Sequence, residues 1–207
     1  MSINRRDIMQ MLRDENTLLK TRNLQVSRRL ARLQQAFRVL IDIEQKTEQI
    51  SAQLDVSKLF SQLLQLVLHT CNCENGSMIM LDDDELELEF VEVIGLSRDA
   101  LLNHRLSADT GIVGNVIKTG QAVLVENVHS SRKWSSSIDE YLDFHTASLM
   151  CVPLKIDKKI IGAIEVVNKT GDIPFDDNDL NVIRVAACYV GQALQRAEQL
   201  ILTGDIK

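Results

Sequence analysis

The first 75 residues contain neither proline nor glycine, and the whole chain of 207 residues has only two prolines. Because these two residues are the strongest helix breakers, their absence allows long, unbroken helices in this stretch. No apolar run approaches the ~18 residues of a membrane-spanning helix. The first residues also lack the apolar core of a secretory signal peptide. We therefore expect a cytoplasmic protein that does not enter a membrane.

The residues that metal sites and catalytic sites require are also sparse. There are four cysteines, and without a secretory signal we expect reduced, buried thiols. Cys71 and Cys73 would bind a metal only with a second ligand pair, which does not stand nearby. The acidic run at 82–84 lacks the alternating ligands and the distal glutamate of a calcium loop. The sequence has no phosphate-binding glycine-rich loop and no nucleophile elbow. We expect no metal, no certain cofactor and no enzymatic activity.

Charge is distributed unevenly along the chain. Residues 1–50 hold ten basic and six acidic side chains, which leaves 13 basic and 23 acidic side chains for the remainder. An acidic domain on a mildly basic extension is not typical of nucleic-acid-binding proteins, and the extension has no interleaved aromatic residues. We therefore expect no nucleic-acid partner.

The basic extension carries a heptad pattern, which predicts a coiled-coil helix over residues 1–43. The pattern starts at Met9, and the predicted dimer seam comprises Leu12, Asn16, Leu19, Asn23, Val26, Leu30, Leu33, Phe37 and Leu40. A buried asparagine can pair with its symmetry mate, so Asn16 and Asn23 favour a parallel homodimer in register. The alternative is a solvated helix whose spacing arises by chance.

Residues 44–202 are predicted to form one α+β domain, followed by a tail at 203–207. Leu86, Leu88 and Phe90 alternate as in a strand with these side chains inward, and a change of phase at Val91 indicates a bulge or a departure from the sheet edge. Further predicted elements are a helix ended by Gly76, a short helix from Gly111 through Lys118 with Gly120 at its exit, strands at 77–81, 122–125, 149–156 and 159–167, and a final helix capped by Asp176. The polar residues 126–146 are expected to form a long functional loop. This order predicts an antiparallel sheet covered by N- and C-terminal helices.

Several motifs in this domain match one known family. Asn168 and Lys169 are followed by Phe175 and Asp179, and the segments 110–114 and 151–154 precede them. Together these resemble the pattern of GAF domains, the small-molecule sensing modules of cyclic-nucleotide phosphodiesterases and bacterial signalling proteins. The resemblance implies that Lys169 and Asp179 form an ion pair that fixes the sheet against the last helix. The chain has Leu180 where the family has a glutamate.

The resemblance also implies a set of ligand-binding residues. Asp139, Phe144 and Thr146 have the spacing found in phosphodiesterase-type GAF domains, and two further family positions are matched by Ser77 and Glu165. The backbone N–H groups of the short helix, at Ile112 and Val113, would face a phosphate. Cyclic AMP or cyclic GMP is therefore the leading candidate ligand.

The chain differs from the nucleotide-binding members at two places. Val93 and Ile94 replace a Phe-Asp pair, and Leu142 and Asp143 replace a Thr-Gly pair. Asp143 would bring a negative charge close to a phosphate site. Other interpretations therefore stay open: a different small ligand, a ligand-free dimerisation or scaffold module, or an enzyme similar to the free methionine sulfoxide reductases. The last would need a redox-active thiolate in the pocket.

The resemblance further suggests how the molecule works. Bilin-binding members have a cysteine followed by histidine, a pair that this sequence lacks. His69 is expected to pack against or cap a helix end, and His104, His129 and His145 are expected at the surface. We expect a non-enzymatic sensor or adaptor, with dimerisation through the coiled coil and the terminal helices of the GAF domain. Because the sequence ends soon after the last predicted helix, we expect the output to reside in a partner protein.

Overall fold

The computed structural model describes residues 9–27 and 56–203, apart from positions 83, 85, 172 and 173. The chain divides into two units, Met1–Gln45 and Lys46–Lys207. Residues 9–27 form helix α1, in which the hydrophobic side chains of Leu12, Leu19 and Val26 are more than half exposed. The predicted seam residues Leu30, Leu33, Phe37 and Leu40 lie outside the described residues, as does the expected boundary at 43–44.

The second unit contains a six-stranded antiparallel sheet. Its helices are α2 (Val56–Cys71), α3 (Arg98–Leu101), α4 (Gly111–Thr119), α5 (Ser137–Leu142) and α6 (Asp177–Thr203), with a 3-10 turn at Val128–Ser130. Its strands are β1 (Cys73–Asp82), β2 (Glu87–Ile94), β3 (Arg105–Ser107), β4 (Val123–Val125), β5 (Leu149–Ile156) and β6 (Lys159–Lys169). The strand order is β3-β2-β1-β6-β5-β4. The predicted α+β class, with terminal helices on an antiparallel sheet, is confirmed.

The two faces of the sheet are covered differently. Helices α2 and α6 pack together on one face, against β1 and β5, and α4 packs on β5 and β6. Helix α6 approaches β5 so closely that a Cβ at Gly191 would lie 2.0 Å from the carbonyl oxygen of Lys155. Only glycine permits that distance. Within the described residues, no helix is long and apolar enough to cross a membrane.

The change of phase at Val91 is a bulge. Met78 pairs with Glu92 and Ile79 pairs with Phe90, so Val91 has no partner opposite it. The extra residue restores burial to Val93, as the sequence pattern requires. The prediction for Leu86 was wrong: its side chain is 68% exposed, and its backbone has a positive φ of 55°. It belongs to the turn before β2, which a period-two pattern cannot distinguish from the strand.

Three other features of the fold differ from the expectation: the end of α2, the segment 126–146 and the strand β3. Helix α2 ends at Cys71, where Asn72 adopts a left-handed φ of 56°, so Gly76 does not end it. Gly76 lies inside β1, where a Cβ would meet the carbonyl oxygen of Glu165 at 2.8 Å. The segment 126–146 is not one loop, because it contains the 3-10 turn and α5. The three-residue strand β3 was not anticipated.

The end of β6 is tied to the start of α6 by an ion pair. Lys169 Nζ contacts Asp179 Oδ2, and both side chains are only 3% exposed. The same carboxylate accepts a hydrogen bond from the backbone N–H of Asp176 at 3.0 Å. Phe175 is buried, and its ring centroid lies 5.9 Å from Lys169 Nζ. Asp176 caps α6 by accepting hydrogen bonds from the N–H groups of Asn178 and Asp179.

Replacing Lys169 tests how much the folded state depends on this ion pair. Lys169→Met leaves the buried carboxylate of Asp179 without its cation, so we expect the free energy of unfolding to fall by about 3–5 kcal/mol. Urea denaturation of the full chain measures it. The matched control is Lys158→Met in the exposed β5–β6 turn, which should change stability by less than about 0.5 kcal/mol. Equal effects of the two variants would show that the pair is dispensable.

Candidate functional site

A cavity of about 100 Å³ lies on the sheet face opposite α2 and α6. Strands β1, β2 and β6 form its floor, the first turn of α4 forms one side, and the segment from Trp134 to Thr146 forms another. The structure brings all seven predicted ligand-binding residues to this cavity: Ser77, Ile112, Val113, Asp139, Phe144, Thr146 and Glu165. Ser77 and Glu165, which are almost 90 positions apart in the sequence, therefore line the same cavity.

The floor is set by the register of the central strands. Glu165 of β6 is directly opposite Ser77 of β1 on one side and Cys151 of β5 on the other. Directly paired residues have side chains on the same face of a sheet. Ser77 is buried, and it therefore places a hydroxyl beside the carboxyl of Glu165.

The side wall is held by Asp139 and Thr146. The carboxylate of Asp139 accepts two hydrogen bonds of 2.7 Å, one from the N–H of Thr146 and one from its hydroxyl. Asp139 lies in α5, and Thr146 precedes β5. The two residues therefore fasten α5 to the sheet. Because the pair is mutually satisfied, its bonds must loosen before either group can contact a ligand.

Asn168 holds the backbone on both sides of Thr146 by hydrogen bonds. Its backbone has a φ of 55°, a left-handed conformation that asparagine tolerates better than most residues. Its amide oxygen accepts hydrogen bonds from the N–H groups of Ala147 and Ser148, and its amide nitrogen donates to the carbonyl of His145. The asparagine of the Asn-Lys pair therefore fixes the segment that carries Thr146, a role that the sequence pattern did not reveal.

The first turn of α4 offers unpaired donors to the cavity. Gly111, Ile112 and Val113 line it, and the preceding Thr110 makes no side-chain capping hydrogen bond. The first N–H groups of a helix have no partner within the helix, and the helix dipole adds positive potential there. This helix end therefore suits an anionic group.

The charged side chains that line the cavity are all acidic. They are the carboxyls of Asp139 and Glu165, and no lysine, arginine or histidine is found among the described residues that line the cavity. Burial, with a further contribution from Asp139, raises the pKa of Glu165 to about 7. Burial and the nearby Glu165 likewise raise the pKa of the Cys151 thiol well above its usual range.

The structure adds lining residues that sequence reasoning missed. Trp134, the only tryptophan of the chain, lines the cavity, and its buried Nε1 has no hydrogen-bond partner among the described residues. Its isolation in a polar, serine-rich stretch was the available signal. Val93, Ile94 and Leu142 line the cavity as apolar surface. Asp143 does not bring its charge to the cavity: it is exposed at the end of α5, with a φ of 50°.

Redox and metal chemistry find little support in this part of the chain. Cys71, Cys73 and Cys151 are buried and form no disulfide bond among the described residues. Burial and the nearby Asp179 raise the pKa of Cys73 to about 12, against an opposing effect of Lys169. Such thiols are poor nucleophiles at neutral pH. The described residues contain no group of three or more histidine, cysteine or acidic side chains that could hold a metal ion.

Comparison with known proteins identifies the family. The GAF domain family model matches residues 55–194, which are most of the chain. The protein belongs to the GAF domain family. It is 29% identical to the dual 3′,5′-cyclic-AMP and -GMP phosphodiesterase 11 of Drosophila melanogaster, over 62% of this chain and 9% of the relative. It is 25% identical to phosphodiesterase 11A of Takifugu rubripes, named for the same dual activity, over 67% of this chain and 17% of the relative.

A solved structure shows the same fold. The GAF domain of an Acinetobacter phosphoenolpyruvate-protein phosphotransferase superimposes with a TM-score of 0.66 at 17% identity, covering 82% of this chain and 96% of that one. The matched region spans less than a fifth of the length of the two phosphodiesterases. The similarity to these enzymes is therefore confined to one part of each.

The raised pKa of Glu165 has a consequence for stability. A carboxyl that holds its proton more tightly when folded stabilises the protein at low pH, and this contribution is lost as pH rises from about 4.5 to about 7. Glu165→Gln removes the titration. The difference in unfolding free energy between Glu165→Gln and the parent protein should therefore increase by up to about 3 kcal/mol between about pH 5 and about pH 8, in favour of the variant.

Urea denaturation across that pH range measures the difference. The control is Glu74→Gln, since Glu74 is exposed on β1; its difference from the parent should stay flat. A flat difference for Glu165→Gln as well would contradict the assignment of a buried, protonated carboxyl to the cavity floor.

Proposed function

We propose that this protein is a non-enzymatic sensor whose GAF domain binds a small ligand in the cavity, with a cyclic nucleotide as the leading candidate. The observation that carries the proposal is the convergence on one cavity of seven residues, five implied by the family pattern and two by the start of the short helix. The names of the phosphodiesterase relatives, which act on cyclic AMP and cyclic GMP, agree with that choice.

The chemistry of the walls suggests how a cyclic nucleotide would lie. The phosphate, with its single negative charge, would face the N–H groups at Gly111, Ile112 and Val113. The base would then extend over the floor towards Ser77 and Glu165. The helix end attracts the phosphate, whereas the two carboxyls would repel it.

Binding requires the cavity to open. Its volume of about 100 Å³ corresponds to roughly three water molecules, whereas ligand pockets typically measure ~300–1,000 Å³. The wall most easily displaced is α5, which contains no buried residue. We infer that the segment from Trp134 to Thr146 moves outward when the ligand enters. This movement is the structural change that a sensor needs.

The enzymatic alternative requires a reactive thiolate in the cavity. Cys151 is the cysteine nearest to the floor, and its raised pKa keeps it as a thiol. We therefore favour a binding protein over a sulfoxide reductase. Turnover of free methionine sulfoxide that disappears in Cys151→Ser would reverse this choice.

Ligand binding would be transmitted to other parts of the molecule through a dimeric coiled coil. In the described part of the stalk, Leu12, Leu19 and Val26 recur every seven residues and are exposed in the single chain, as the seam of a parallel coiled coil would be. We propose a cytoplasmic homodimer in which ligand occupancy acts on the stalk or on a protein partner. A ligand-free scaffold that uses the same dimer is the alternative.

Ligand binding should be visible as thermal stabilisation. At 100 times the dissociation constant a ligand adds ~2.7 kcal/mol to stability, which corresponds to roughly 5–10 °C in Tm for a domain of this size. We expect that shift with cyclic AMP or cyclic GMP for the full chain. Asp139→Asn removes the carboxylate that the family pattern implies as a nucleotide contact, so it should reduce the shift.

Asp143→Asn is the control for this experiment. The residue lies four positions away on the same segment, but it is exposed and outside the cavity, so the full shift should be retained. If neither nucleotide raises Tm at any concentration, the cyclic-nucleotide proposal fails, and the scaffold or another ligand remains.

The coiled coil makes a separate prediction. A parallel dimer should give twice the chain mass in light scattering at micromolar concentration. Replacing Asn16 and Asn23 by leucine should raise thermal stability and permit higher oligomers, because a buried asparagine favours the dimer at a cost in stability. Thr21→Leu, on the opposite side of the heptad, is the control and should leave the mass unchanged. A monomer mass for the parent chain would contradict the dimer.

A further inference from the structure

We propose that Glu165 makes the choice of this cavity between guanine and adenine nucleotides depend on pH. The proposal rests on the cyclic-nucleotide function argued above and adds a form of regulation to the same site. It is drawn from the position of Glu165, from the groups that surround it and from the hydrogen-bonding edges of the two bases.

Glu165 lies in the middle of the sheet, on the cavity floor. It lies on β6, which is flanked by β1 and β5 at the centre of the sheet. Its side chain lines the cavity, and no hydrogen bond to its carboxyl is formed by the residues that the structure describes. A polar group that is enclosed and unpaired in the empty protein is an expected contact for a ligand.

Burial, followed by the nearby carboxylate of Asp139, holds the pKa of this carboxyl close to neutrality. From α5 it faces the carboxylate of Asp139, from β5 the thiol of Cys151, and from β1 the hydroxyl of Ser77. From β2 and α4 it faces apolar side chains and backbone, because neither contributes a titratable side chain to the lining. Nothing in the described lining neutralises it, so its pKa of about 7 lies where small changes in pH alter its charge.

The two protonation states present different hydrogen-bonding patterns. An ionised carboxyl only accepts, whereas a protonated one donates through one oxygen and accepts through the other. The guanine edge has two adjacent donors, N1–H and the N2 amino group, which match a carboxylate. The adenine edge has a donor at N6 and an acceptor at N1, which match a carboxylic acid. The ionised side chain of Glu165 therefore favours binding of guanine, and the protonated side chain is also compatible with adenine.

The expected preference for guanine over adenine follows from the mismatch between adenine and an ionised Glu165. Adenine opposite a carboxylate places two acceptors against each other and loses one charge-assisted hydrogen bond, which corresponds to a factor of roughly 10–100 in affinity. We therefore expect the ratio of cyclic GMP affinity to cyclic AMP affinity to fall at least ~10-fold when pH is lowered from about 8 to about 6.

Isothermal titration of the full chain with each nucleotide, at constant ionic strength across that pH range, measures the ratio. Glu165→Gln is the diagnostic variant, because its amide carries one donor and one acceptor at every pH. Its ratio should be independent of pH and should equal that of the parent protein at low pH. Asp143→Asn changes an exposed carboxylate outside the cavity and should keep the parent profile.

The failures of the two proposals are distinguishable. If neither nucleotide binds at any pH, the proposed function fails, and this inference fails with it. If nucleotides bind but the ratio does not vary with pH, or if Glu165→Gln retains the pH dependence of the parent, the inference is overturned while the proposed function stands.

Discussion

The buried ion pair between Lys169 and Asp179 is the constraint on which the rest of the domain depends. It joins the last residue of the central strand β6 to the first turn of α6, with both side chains almost fully enclosed. The preceding residue, Asn168, holds the segment beside Thr146 on the other face. Two consecutive residues therefore position the covering helix and the cavity wall. A buried pair of this kind adds little net stability, but the loss of one partner is costly.

Much of this architecture could be predicted where local chemistry marks an element. Gly120 adopts the left-handed conformation that ends α4, Asp176 caps α6, and the turn between β5 and β6 falls at Asp157 and Lys158. The elements β3 and α5 were not predicted, because neither is long enough to produce a periodic pattern and α5 has no buried residue. The lining was predictable through the family pattern. Trp134 was missed because it matches no part of that pattern.

The chemistry of the cavity narrows the range of suitable ligands. Its two carboxyls face a space without a basic side chain in the described lining, so an anion can be accommodated only at the start of α4. The two carboxyls favour a group that donates hydrogen bonds. A cyclic nucleotide carries both an anionic phosphate and hydrogen-bond donors. The buried thiols are protonated, which is consistent with a site that binds rather than reacts.

The central claim is that a nucleotide enters this cavity, and the fluorescence of Trp134 tests it most directly. This residue is the only tryptophan of the chain, and it lies in the wall that must move. Titration of the full chain with cyclic GMP and cyclic AMP should produce a saturable change in its emission, because the environment of the indole changes when the wall opens. An emission spectrum that stays constant up to about millimolar concentrations of both nucleotides, where a dissociation constant corresponds to only ~4 kcal/mol, would contradict the account.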